Sequence, residues 1–133
     1  MKYTVEYPLK PDGVYKCMLF IEEMLGKYRL GKHDLMEALL MSEETLLMLE
    51  EAAPEDAVIK VTISKHLGVP RIKINVPGSA LALNDHVESF SLDQLGGDTE
   101  TAIRSIMLRG YSDSIKYRHT RATNIVTIIT GIP

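Results

Sequence analysis

Ala57-Val58-Ile59-Lys60-Val61-Thr62-Ile63-Ser64 and Arg71-Ile72-Lys73-Ile74-Asn75-Val76 are the two runs whose reading decides the fold. In the first, Ile59, Val61 and Ile63 alternate with Val58, Lys60 and Thr62. In the second, Ile72, Ile74 and Val76 alternate with Arg71, Lys73 and Asn75. A period of two in β-branched residues marks a strand with one buried and one wet face. Between the runs, Lys65-His66-Leu67-Gly68-Val69-Pro70 is long enough for a hairpin loop, so the pair is expected to be antiparallel.

Upstream, two helices are expected. Val14, Cys17, Met18, Ile21, Met24, Leu25 and Tyr28 recur at helical spacing, with Asp12 as the candidate cap. A second helix runs from His33-Asp34-Leu35 to about Ala53, where Pro54 stops it. Asp34 and Glu37 stand at capping-box spacing. Leu35, Met36, Leu39, Leu40, Leu46, Leu47 and Leu49 give this helix a broad apolar surface, interrupted by Ser42, Glu43, Glu44 and Thr45. Before both helices, Tyr3, Val5, Tyr7 and Leu9 alternate as in a half-buried strand, and Pro8 suggests an edge position or the end of pairing.

Downstream, residues 79–98 are irregular, with Asn84-Asp85-His86 reading as a turn and Phe90 and Leu92 as anchors. A third helix is expected from Thr99 to about Arg109, ended by Gly110. Ser112 to His119 alternates weakly, Asn124 to Thr130 alternates strongly, and Thr120-Arg121-Ala122 links them as a hairpin. The order is therefore strand, helix, helix, hairpin, helix, hairpin. That predicts an α+β two-layer sandwich, with a mixed, mostly antiparallel sheet covered on one face by about three helices.

The totals agree with a single domain. The chain has 133 residues, 45% of them hydrophobic and 25% charged, and it is expected to bury a substantial core. Its one cysteine, Cys17, cannot form an internal disulfide and reads as a buried, inert thiol. No apolar run approaches the ~18 residues of a membrane span, so a soluble domain is expected. Charge is uneven: residues 1–56 carry 12 acidic and 6 basic side chains, whereas residues 104–133 carry 1 and 5. That basic group, Arg104, Arg109, Lys116, Arg118 and Arg121, with Tyr111, Tyr117 and His119 between them, either attracts a phosphate or an acidic partner or is a solvated face. The acidic total argues against nucleic acid.

Few chemical motifs are present. No histidine among His33, His66, His86 and His119 has a His or Cys partner three or four residues away, so metal-site spacing is absent. Neither a nucleophile elbow nor a P-loop pattern occurs. Two features stand out. Glu43 and Glu44 interrupt an apolar helix, where a carboxylate is costly unless paired or solvated in a pocket. Gly96-Gly97 precedes the expected third helix, where backbone amides can meet an anion, although Asp98 and Glu100 already complement that helix start.

The element order with these features resembles the histidine-kinase-like (GHKL) ATPase fold, the group that includes anti-sigma-factor kinases. In that fold an Asn-bearing helix, an Asp-x-Gly-x-Gly turn after a strand and a Gly-rich segment before a helix form a nucleotide pocket. The corresponding stretches here are Ser42 to Met48, Asn75-Val76-Pro77-Gly78-Ser79, and Leu95-Gly96-Gly97-Asp98. The resemblance thus implies a nucleotide or other anionic ligand held by Glu43, Glu44, Asn75, Gly78, Gly96 and Gly97, with ATP as the cofactor it suggests. The departures imply loss of catalysis. Four residues after Glu43 or Glu44 stands Leu47 or Met48, which cannot hold a hard cation. Asn75 replaces the adenine-reading Asp, and Pro77 a flexible Gly.

Met41 to Asp56 and Ala102 to Val126 are also similar to a degenerate form of this domain, a soluble extension on some bacterial sodium:dicarboxylate (dicarboxylate/amino acid:cation) symporters. That similarity implies a cytoplasmic regulatory domain, at the inner face of the membrane, whose transporter partner lies in the same longer polypeptide. A small ATP-binding protein of the anti-sigma-kinase type and a ligand-free dimerisation module remain the alternatives.

Overall fold

The computed structural model describes residues 2–81 and 115–130. Strand β1 (Lys2–Pro8) leads into helices α1 (Pro11–Gly26) and α2 (Lys32–Ala52). Strands β2 (Val58–His66) and β3 (Val69–Pro77) follow, and the chain closes with β4 (Ile115–Thr120) and β5 (Thr123–Ile129). The expected third helix, with Phe90, Leu92, Gly96 and Gly97, lies outside the described residues.

The described strands form one sheet in the order β1-β2-β3-β5-β4, so β1 is an edge strand, one of the two positions that Pro8 suggested. All four pairings are antiparallel, not mixed as expected from sequence. The reason is the helical excursion. Helices α1 and α2 carry the chain out and back, so β2 starts at the end where β1 stopped: Pro8 pairs with Val58.

Both hairpins are tighter than the sequence suggested. The expected six-residue loop shrinks to Leu67-Gly68, because Lys65 still pairs with Pro70 and His66 with Val69. Leu67 and Gly68 have φ of 51° and 82°, and Arg121 and Ala122 have 52° and 56°. Two successive positive φ values make the two-residue turn whose twist suits right-handed strands.

The strand alternation decides the layers. Ile59, Val61 and Ile63 of β2, Ile72, Ile74 and Val76 of β3, and Val126 and Ile128 of β5 are buried on one face. Cys17, Ile21 and Leu25 of α1 and Leu46, Met48 and Leu49 of α2 belong to the same core. The broad apolar surface expected of α2 is only partly buried: Met36, Leu40 and Leu47 are exposed, whereas Ser42 and Thr45 are enclosed. Ser42 meets its burial by donating to the carbonyl of Ala38 at 2.8 Å.

Neither proposed capping aspartate caps. The cap of α1 is Lys10 with Pro11 at the first helical position, and that of α2 is Gly31. Asp12 instead lies inside the first turn and pairs with Lys16 at 3.2 Å. Gly13 lets the start of α1 sit against the end of β1: a Cβ there would meet the Pro8 carbonyl oxygen at 1.8 Å.

Burial raises the Cys17 thiol to about 12 from its ordinary 9.0, so the buried reading of this residue holds. The neutral thiol is the form that packs. A raised folded pKa means the contribution to stability is complete below the unfolded value and is lost as pH rises from about 9 towards 12. Thiol labelling at pH 8 should therefore be slow in native protein and fast in denaturant, with stability falling above pH 9. Fast native labelling would show that α1 does not enclose this side chain.

Candidate functional site

The residues singled out by sequence lie on three different surfaces. Glu43 is exposed on the outer side of the helical layer. It lines a groove of about 400 Å³ between α1 and α2, together with Val14, Met18, Leu39 and Glu22. Glu44 is half-buried. Asn75 alternates with the inward Ile74 and Val76, so it faces away from both helices on the other side of the sheet. Its Oδ1 is buried and has no hydrogen-bond partner among the described residues. Gly78 sits at the end of β3 against the end of α2. Gly96 and Gly97 lie outside the described residues.

Gly78 is the centre of a polar junction. Its φ of +153° and the closeness of α2 both demand glycine, since a Cβ would fall 2.3 Å from the Ala52 carbonyl oxygen. The Gly78 amide donates to the Ala122 carbonyl at 2.9 Å, and the Ser79 amide to Ala52 at 3.1 Å. The Gly78 carbonyl lies 2.9 Å from His119 Nε2. Beside it, fully buried Asn124 donates through Nδ2 to the Ser79 carbonyl at 2.8 Å. Tyr117 donates to Asn124 Oδ1 at 2.5 Å and accepts from the Leu81 amide at 2.9 Å. The ends of α2 and β3 and the β4–β5 hairpin are thereby tied together where the chain leaves β3.

Sequence reasoning placed Tyr117 and His119 among the cations of a basic patch. They instead serve this junction, because their alternation in β4 puts them on the helical side with Ile115. Lys116 and Arg118 take the opposite face. There they join Arg71 and Lys73 of β3 around a second cavity, also of about 400 Å³, with Thr127 and Ile125 of β5 between them. The sequence reading missed Arg71 and Lys73 as partners of the C-terminal cations. Their parity within β3 was readable, but not that β5 would slot between β3 and β4.

Among the described residues no group of three His, Cys, Asp or Glu side chains could hold a metal ion. Among them, too, no helix is long and apolar enough to cross a membrane. No protein-family model matches the chain, and no curated protein sequence matches it.

The junction yields a measurable expectation. Replacing Tyr117 with Phe removes a hydroxyl that satisfies two polar groups, one of them on fully buried Asn124. Chemical denaturation should show a loss of about 1–3 kcal/mol. An unchanged midpoint would mean that water replaces the hydroxyl and the junction does not hold residues 78–81.

Proposed function

We propose that this chain is a non-catalytic, ligand-sensing regulatory domain of the histidine-kinase-ATPase-like kind. It would work beside a sodium:dicarboxylate symporter-type transporter in the same longer polypeptide, at the inner face of a bacterial membrane. The transporter association rests on the sequence resemblance of residues 41–56 and 102–126. The fold assignment is supported by the two helices between β1 and β2 and by their packing on one face of the sheet, while the wholly antiparallel pairing departs from the mixed sheet expected.

The observation that carries the non-catalytic part is the separation of Glu43 from Asn75. One lies on the outer side of the helices and the other on the far face of the sheet. A nucleotide cannot touch both, whereas a catalytic pocket needs its groups within hydrogen-bond reach of one ligand. The regulatory part is favoured by the Gly78 junction, because a change at any of its three elements is felt by the other two. A second reading, a dimerisation module, is favoured by the exposed Tyr15, Leu19, Met36, Leu40 and Leu47 on the outer helical surface.

Thermal unfolding with ATP, with and without magnesium, separates these readings. The regulatory reading expects no magnesium-dependent stabilisation and no phosphate release. A magnesium-dependent gain approaching about 2.7 kcal/mol near 100 Kd, lost in Glu44→Ala, would replace it with the kinase-type alternative. Light scattering on the same samples should show a monomer. A concentration-dependent dimer abolished by Leu40→Glu would favour the dimerisation module.

A further inference from the structure

The face of the sheet turned away from the helices is strongly cationic at its β3–β5–β4 end. Arg71 and Lys73 project from β3, and Lys116 and Arg118 from β4. Between them runs β5, where Lys73 pairs with Thr127 and Thr127 pairs with Lys116. With strands roughly 4.8 Å apart, the two cationic pairs face each other across about 10 Å. The space they enclose is the trough of about 400 Å³ floored by Thr127 and Ile125.

Among the described residues, no carboxylate is paired with these charges. The ion pairs Lys16–Asp12 and His33–Glu37 are both on the helices. On this sheet face the acidic Glu6 stands at the far side, on β1 opposite Lys60. Arg71 Nε is buried and has no hydrogen-bond partner among the described residues, although a buried guanidinium donor ordinarily finds an acceptor. Four like charges around a trough repel one another and raise the local concentration of anions. The arrangement becomes favourable when an anion enters.

We propose that this trough is a binding site for a small polyanion carrying two or more phosphate groups. Charge balance sets the class. A linear oligophosphate supplies about four negative charges in a body small enough for the trough, with charge at both ends for the two cationic pairs. A dicarboxylate supplies half of that. Arg71 and Arg118 offer forked donors for phosphate oxygens, Lys73 and Lys116 offer point charges, and the Thr127 hydroxyl can donate from the floor. The site lies across the sheet from Glu43 and Glu44, so it stands independently of any nucleotide held on the helical side.

The test is calorimetric titration of the whole chain with inorganic tripolyphosphate at low salt. One site is expected, weakened at least about tenfold in the double variant Lys73→Gln, Lys116→Gln and again by raising the salt. Arg118→Gln, at the exposed edge, should weaken it in the same direction. Lys16→Gln, on α1, should leave it unchanged, and so should Glu44→Ala, which separates this site from the helical one. Absence of binding heat, an unchanged affinity in both trough variants, or equal or tighter binding of citrate or a glutamate-rich peptide would overturn the proposal.

Discussion

The alternation of strand β3 constrains everything around it. Ile72, Ile74 and Val76 must face the helices, and the period of two then sends Arg71, Lys73 and Asn75 to the opposite side. A slip of one residue in register would exchange the two sets. It would place a guanidinium and an ammonium in the apolar layer beneath α1 and α2, a cost of several kcal/mol for each unpaired charge. The register with β2 and β5 is therefore fixed by both faces at once. The parity that builds the core also assembles the cationic trough on the other side.

The helical layer follows from the same sheet. With Ile59, Val61, Ile63, Ile72 and Ile74 fully buried, the apolar face needs cover, and α1 and α2 supply it as an antiparallel pair. Their return brings the end of α2 to the end of β3, so close that only glycine fits at position 78. The backbone polar groups exposed by that close approach are met by Ala122, His119, Asn124 and Tyr117 from the β4–β5 hairpin. One packing demand thus produces a junction of three elements. Displacement of one partner at this junction leaves the others with unmet donors and acceptors.

Much of this was legible in the residues. The Ile/Val alternation of 58–64, 71–76 and 124–130 located three strands, and an edge position for the first strand was one of the two readings of Pro8. Cys17 within an apolar helical stripe identified a core thiol. Other features depended on contacts distant in sequence. Asp12 and Asp34 have the chemistry of caps, but Lys10 and Gly31 take those positions because the β1–α1 and α1–α2 turns set where each helix begins. Tyr117 and His119 looked like members of a basic patch until the β4 parity turned them towards the helices. Arg71 and Lys73 looked like ordinary outward residues until β5 inserted beside β3 and brought Lys116 and Arg118 across from them. Glu43 and Asn75, which the family resemblance brings to one pocket, are kept apart by the thickness of the sheet.

The parity and neighbours of β3 are open to direct observation by nuclear Overhauser spectroscopy on isotopically labelled protein. Cross-strand backbone contacts should place Lys73 opposite Thr127, Ile74 opposite Val126, and Thr127 opposite Lys116. Contacts that instead set Lys73 opposite Val126 or Ile128, or β4 directly beside β3, would contradict the register on which the core, the junction and the trough all depend.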